Sequence, residues 1–141
     1  MNTAVAAETL TVVVERELPY PPEKIWRALT QPQLIQEWLM QSDFQPSVGH
    51  GFTFRADWGS VDCKVLAVEP YRTLSYTWGA LGLASVVTWT LTPKGKGTHL
   101  RMEQSGFPTD RPQNYQGAQY GWKNFFARLE QVLARPEGAD A

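Results

Sequence analysis

Residues 114–133 read NYQGAQYGWKNFFARLEQVL, and the large apolar residues of this stretch recur at intervals of three and four. That spacing puts them on one face of an α-helix. Pro112 and Pro136 flank the stretch and limit how far a helix extends in either direction. We therefore predict one long amphipathic helix, whose inner face consists of Ala118, Gly121, Trp122, Phe125, Phe126, Leu129, Val132 and Leu133.

Most of the chain before this helix alternates between apolar and polar residues, which is the pattern of strands with one buried face. Residues 9–18 form the first such strand, and about six more follow between residues 44 and 107, separated by turn sequences. Two short helices are predicted at residues 19–29 and 32–39, because prolines open each stretch and apolar residues then recur with helical spacing.

Arg16 interrupts the alternation of the first strand, because it falls on the apolar side with Leu10, Val12, Val14 and Leu18. A buried guanidinium without a partner is costly. We therefore expect either a β-bulge that rotates Arg16 outward or a place for it in a partly polar interior.

The order of elements predicts an α+β fold, in which one long helix covers the apolar face of a curved antiparallel sheet. A chain of 141 residues suits one domain with a real core. We place that domain at residues 9–135 and expect residues 1–8 and 136–141 to be flexible tails.

Four segments of the sequence occur in the order and spacing of a known family. They are LPYPPEKIWRALTQPQLIQEWL (18–39), VEPYRTLSYTW (68–78), VTWTLTPKGKGTHLRMEQSGF (87–107) and GWKNFFARLEQVL (121–133). Together they resemble the activator-of-heat-shock-protein-90-ATPase-like proteins of the START-like (SRPBCC) superfamily, over about residues 9–133. The resemblance implies the helix-grip fold, in which a sheet of about seven strands curls round the C-terminal helix and leaves a deep pocket between them.

Two positions depart from that family pattern. Gln31 stands where the family often has Asp before the proline, which gives the second helix a poorer N-cap. Gln104 stands where many relatives carry His before Ser-Gly-Phe, so a histidine-based role is not carried over to this pocket.

Charge and cysteine content exclude several classes of protein. The formal net charge is −1 and no cluster of Lys and Arg occurs, so we expect no nucleic-acid partner. Cys63 is the single cysteine, which excludes an internal disulfide and suits a reducing compartment. We find neither a signal peptide nor an apolar run long enough to cross a membrane, so we expect a cytoplasmic protein with no membrane partner.

Titratable residues form no recognisable catalytic or metal-binding motif. His50 and His99 lie on different predicted strands without the spacing of a metal site, and we expect no metal and no cofactor. Cys63 shares its strand face with Val61 and Val65, which predicts a buried, inert thiol. We assign no catalytic residue.

The aromatic residues carry the functional prediction. Rings on the inner faces of the strands and of the long helix are typical of small-molecule pockets with a few polar groups, and equally typical of core packing. An inward Gln104 would orient a polar ligand through its amide, which does not titrate. The predicted ligand-binding residues are Trp38, Phe52, Phe54, Tyr76, Trp78, Trp89, Met102, Gln104, Tyr115, Trp122, Phe125 and Phe126.

The sequence therefore favours non-catalytic binding of a small hydrophobic or aromatic molecule between the sheet and the C-terminal helix. Three alternatives stay open: a protein-interaction module like the chaperone activators of the family, a polyketide-cyclase-like or dehydratase enzyme, and a protein that sequesters a toxic natural product. A monomer and a homodimer are both compatible with the sequence.

Overall fold

A seven-stranded antiparallel sheet forms the framework of the computed structural model, which describes residues 9–80 and 83–135. The elements in chain order are β1 (Thr9–Leu18), α1 (Pro22–Thr30), α2 (Pro32–Trp38), β2 (Gln41–Ser42), β3 (Gly51–Ala56), β4 (Gly59–Glu69), β5 (Thr73–Ala80), β6 (Leu83–Lys94), β7 (Gly97–Pro108) and α3 (Pro112–Leu133). The α+β prediction is confirmed. The predicted tails, residues 1–8 and 136–141, lie outside the described residues.

The strands follow one another across the sheet except at one edge. Their spatial order is β1-β7-β6-β5-β4-β3-β2, so the first strand of the chain pairs with the last. Alternate residues of the central strands are buried, as the period of two predicts. On β6 and β7 these inward residues are Ser85, Val87, Trp89, Leu91, Thr98, Leu100, Met102 and Gln104.

Helix α3 lies against this inner face and against α1 and α2. It begins two residues before the predicted start, because Pro112 fits the first turn of a helix, where its missing N–H is not needed. The phase of its apolar face agrees with the prediction, and its buried residues are Trp122, Phe126, Leu129, Val132 and Leu133. The half before Trp122 contains no fully buried residue, so α3 is anchored by its C-terminal half.

Trp89 of β6 is the centre of the aromatic core. Its ring lies 5.7 Å from those of Trp38, Trp122 and Phe126, measured between centroids. The indole Nε1 of Trp89 donates a hydrogen bond of 2.9 Å to the Tyr76 hydroxyl, and Nε1 of Trp38 donates one of 2.8 Å to the carbonyl of Ala28. These bonds satisfy the polar atoms of large buried rings, which makes their burial favourable.

Arg16 is not rotated outward by a β-bulge. The bulge in β1 lies between Leu10 and Thr11, and regular pairing places Arg16 opposite Leu100. Its guanidinium lies 5.5 Å from the ring centroid of Phe126, and its Nε lies 3.6 Å from a carboxylate oxygen of Glu130. The bulge alternative is therefore wrong: Arg16 lies between the edge of the sheet and α3, with 39 % of its side chain exposed.

No helix within residues 9–80 and 83–135 has both the length and the hydrophobicity of a membrane span.

Candidate ligand-binding site

A cavity of about 300 Å³ lies between the sheet and the N-terminal half of α3. Its floor is buried and consists of Met40, Trp78, Gln104, Phe107 and Trp122. Half-buried Leu83, Ala118, Gly121 and Phe125 form its walls. Trp58, Gln113, Asn114 and Gly117 form its mouth, and all of these except the half-buried Asn114 are exposed. The cavity exists because α3 packs tightly only from Trp122 onward.

Three aromatic rings meet at the inner end of the cavity. The centroid of Trp122 lies 5.4 Å from that of Trp78 and 5.4 Å from that of Phe125. The interplanar angles are 52° and 75°, so the rings form a corner rather than a stack. A corner of this kind presents both ring faces and ring edges to a ligand.

Gln104 occupies the floor, and its amide is hydrogen-bonded within the protein. Its Oε1 accepts a 2.6 Å bond from Nε1 of Trp122, and its Nε2 donates a 2.9 Å bond to Oγ of Ser85. Ser85 Oγ in turn donates to the backbone carbonyl of Trp78 at 2.9 Å. The amide therefore joins α3 to β6 and β5, so its first partners are protein groups, and a role for it in orienting a ligand stays a prediction.

Four of the twelve predicted ligand-binding residues border this cavity: Trp78, Gln104, Trp122 and Phe125. The other eight lie outside the lining that the described residues form. Seven are packed in the core at 4 % exposure or less, namely Trp38, Phe52, Phe54, Tyr76, Trp89, Met102 and Phe126. Tyr115 is half-buried, with its ring centroid 6.0 Å from that of Phe107.

Several lining residues were not among the predicted ones. Trp58 lies in the turn between β3 and β4, where a large apolar ring has no partner strand to cover it. An apolar ring in a predicted turn could therefore have been identified from the sequence as a candidate binding residue. Gly117 and Gly121 also carry a signal, since two glycines one turn apart on the same side of a helix leave space beside it. Met40, Leu83 and Phe107 carry none, because apolar residues at strand or helix ends are common.

The buried titratable groups lie away from the cavity. Burial raises the pKa of the Cys63 thiol to about 12, and Cys63 is buried as predicted. Burial also raises the pKa of the Tyr76 hydroxyl above its ordinary value. Both groups therefore stay protonated near neutral pH. Within the described residues, no three His, Cys, Asp or Glu side chains are grouped so that they could hold a metal ion.

Comparison with known proteins gives one family and several solved structures. The profile of the family described as Activator of Hsp90 ATPase homolog 1-like protein matches residues 19–134. The crystal structure of protein MLL2253 from Mesorhizobium loti is 60 % identical in sequence, with a TM-score of 0.88, and the match covers 91 % of this chain and 99 % of that one. No curated protein matches the chain significantly.

Two more distant structures have the same fold. DynU16, described as a putative protein in the dynemicin biosynthetic locus, is 27 % identical with a TM-score of 0.78, over 87 % of this chain and 46 % of that one. The Aha1 dimer from Colwellia psychrerythraea is 21 % identical with a TM-score of 0.79, over 92 % of this chain and 99 % of that one. At that identity the second likeness concerns the helix-grip fold alone.

Proposed function

Since the chain belongs to the family of Activator of Hsp90 ATPase homolog 1-like proteins, we propose that the cavity between its sheet and α3 binds a small hydrophobic or aromatic molecule without catalysing a reaction on it. The observation that carries the proposal is the cavity itself. Its volume of about 300 Å³ falls at the lower end of the range of ligand pockets. A hydrophobic molecule that enters it exchanges water for contact with Trp78, Trp122 and Phe125, which favours binding.

The side chains around the cavity support binding rather than acid–base catalysis. The described lining residues are aromatic, aliphatic, thioether, amide or glycine, and none of these exchanges a proton near neutral pH as a general acid or base must. Gln104, the most buried polar side chain of the lining, is an amide and is engaged by Trp122 and Ser85. A bound molecule would therefore be held by shape and apolar contact.

A thermal-shift and fluorescence titration with uncharged apolar compounds, such as 2-naphthol and biphenyl, tests this proposal. A ligand that binds only the folded protein raises its melting temperature by mass action. We expect a saturable rise together with a change in tryptophan fluorescence, since Trp58, Trp78 and Trp122 border the site. If a broad set of such compounds leaves both signals unchanged at high concentration, the proposal is wrong.

A matched pair of variants assigns the binding to this cavity. Ala118→Phe places a ring in the cavity, whereas Gln119→Phe places the same ring on the exposed side of α3. We expect Ala118→Phe to abolish the melting-temperature shift and Gln119→Phe to retain it. Equal shifts in both variants would place the bound molecule elsewhere.

A second candidate, sequestration of a toxic natural product, has one specific observation in its favour. DynU16, at 27 % identity, is described as belonging to a biosynthetic locus, although this chain matches less than half of its length. The candidate predicts that the protein protects cells exposed to such a compound and releases it chemically unchanged. Mass spectrometry of the released molecule separates this function from catalysis.

The location and assembly state are proposals of the same kind. We propose a cytoplasmic protein, since the single thiol of Cys63 suits a reducing compartment, and cell fractionation tests this. A homodimer is one of the two assembly states that the sequence leaves open. Light scattering coupled to size-exclusion chromatography distinguishes it from a monomer.

A further inference from the structure

Trp58 differs from the other tryptophans in its exposure. Trp58 is 57 % exposed, whereas Trp26, Trp38, Trp78, Trp89 and Trp122 are 8 % exposed or less. Each of those five has a neighbouring aromatic ring, but no ring neighbour is found for Trp58 among the residues that the structure describes. Its large apolar surface is thus left in water by the folded protein itself.

The backbone fixes the position of Trp58 at the mouth of the cavity. Asp57 and Trp58 form a two-residue turn, because Ala56 pairs with Gly59 across the β3–β4 hairpin. Gly59 has a φ of 146°, a conformation that favours glycine over other residues. The hairpin geometry therefore places the backbone of Trp58 at the mouth, and its side chain is exposed there. This leaves the ring face available to a ligand.

The charge of the lining restricts the ligand. None of the described side chains that border the cavity is charged, and an ion removed from water without a counter-charge is strongly disfavoured. The amides of Gln113 and Asn114 lie at the mouth, so hydrogen-bonding groups are available at its outer end. The buried part of a ligand is therefore uncharged, and a polar substituent belongs at the mouth.

Aromatic surface is present at both ends of the same cavity. Trp78, Trp122 and Phe125 form the inner corner, and Trp58 borders the mouth. Aromatic pairs stabilise a contact beyond the area that they bury. A flat aromatic ligand would use this surface at both ends, whereas a saturated molecule of the same size would gain only from its burial.

We propose that Trp58 is a ligand-binding residue that stacks on the bound molecule, and that the ligand is an uncharged, planar aromatic ring system with any polar group directed to the mouth. This inference rests on the proposed function, because it names the class of ligand for the same cavity. Ring stacking at the mouth also covers the exposed indole when the site is filled.

The experiment compares three probes of similar size: 2-naphthol, 2-naphthoate and decahydro-2-naphthol, measured by calorimetry at pH 7. We expect 2-naphthol to bind more tightly than either of the others, since 2-naphthoate is charged and decahydro-2-naphthol is not flat. We expect Trp58→Leu to lower the affinity for 2-naphthol by about 3- to 10-fold and Trp58→Phe to retain most of that affinity. The affinity for decahydro-2-naphthol should change by less than about 2-fold in Trp58→Leu, because it makes no ring stack.

The control variant is Tyr120→Leu, which removes another exposed ring, 72 % exposed on α3, that lies outside the cavity lining. It should leave every affinity unchanged. If Trp58→Leu loses equal affinity for 2-naphthol and for decahydro-2-naphthol, or loses affinity for neither, the stacking role is overturned and the proposed function is left intact. Tight binding of 2-naphthoate would overturn the uncharged class of ligand. If none of the probes binds to the wild-type protein, the inference and the proposed function both fail.

Discussion

Gln104 joins three elements through one hydrogen-bonded chain from Trp122 on α3, through Ser85 on β6, to the carbonyl of Trp78 on β5. The amide is 2 % exposed, so bulk water has little access to a partner that is left behind. A buried donor left without an acceptor costs about 1–3 kcal/mol. The role of Gln104 is thus structural first, even though it also borders the cavity.

We predict that Gln104→Leu lowers the free energy of unfolding by about 1–3 kcal/mol, because Nε1 of Trp122 and Oγ of Ser85 each lose a partner. This is the opposite of the outcome expected for an amide that serves only a ligand. Urea denaturation measures the change. Gln113→Leu is the matched control, since Gln113 borders the same cavity but is exposed and should give almost no change.

The alternation of β7 was sufficient to predict that Gln104 points inward. It was not sufficient to predict what the amide would meet there. Ser85 and Trp122 are 19 and 18 residues away along the chain, on another strand and on α3. Their meeting depends on how the helix packs across the sheet, and no local pattern encodes that.

Helix α3 contains two glycines that its packing does not require. A Cβ atom added at Gly117 or Gly121 would meet nothing within 4 Å beyond its local neighbours. Glycine inside a helix costs about 1 kcal/mol relative to alanine. Both residues border the cavity, so these positions lower helix stability and leave the space beside α3 open.

We predict that Gly121→Ala raises the free energy of unfolding by about 0.5–1 kcal/mol and weakens the binding of a cavity ligand. The methyl group improves helix propensity and occupies space that a ligand would use. Paired urea denaturation and calorimetry with 2-naphthol check both effects. Gln119→Ala, on the exposed side of the helix, should leave affinity unchanged. A loss of stability in Gly121→Ala would show that glycine is needed for the fold.

The strand pair β1–β7 carries a charged cluster on its outer face. Nε2 of His99 lies 2.8 Å from a carboxylate oxygen of Glu15, and Nδ1 lies 2.7 Å from one of Glu17, which also contacts Lys94 at 3.1 Å. These contacts raise the pKa of His99, with Glu15 the larger cause, because both ring nitrogens donate only when the imidazole is protonated. Hydrogen bonds from His99 and then Lys94 lower the pKa of Glu17.

We predict that this cluster stabilises the fold most between about pH 4.5 and 6.5, the ordinary values for Glu and His. The contribution of His99 is complete below its unfolded value and is lost as the pH rises through its raised pKa. The contribution of Glu17 is lost as the pH falls through its lowered pKa. Melting temperatures of the wild type and of His99→Gln are measured over a pH range that extends beyond both of these limits. The difference between the two proteins should be largest between the limits. A difference that stays constant with pH would contradict the prediction.

Sequence periodicity predicted the type and order of these elements because each strand and helix buries one continuous face. The turn at Asp57-Trp58 and the inward face of α3 are local patterns of that kind. The open cavity is different. Its floor and walls come from α2–β2, β5, β6, β7 and α3 together, so its volume depends on how far α3 stands from the sheet.

Attachment of α3 to the sheet depends strongly on one side chain. Trp122 is 2 % exposed and its ring contacts those of Trp78, Trp89 and Phe125. We predict that Trp122→Ala lowers the free energy of unfolding by about 3–5 kcal/mol, as for other large buried rings. Chemical denaturation measures this. Tyr120→Ala, two residues earlier and 72 % exposed, is the control and should cost less than about 0.5 kcal/mol.

The pairing of β1 with β7 has a consequence for how the chain is made. Contacts such as that between Glu15 and His99 span 84 residues, so β1 waits for several seconds of synthesis before its partner strand exists. Hydrogen-exchange pulse labelling during refolding should show amides of β1 gaining protection together with those of β7 and after those of the β5–β6 hairpin. Until then the nascent protein carries an unpaired strand containing three consecutive valines, Val12, Val13 and Val14. This segment is therefore exposed to pairing with another newly made chain.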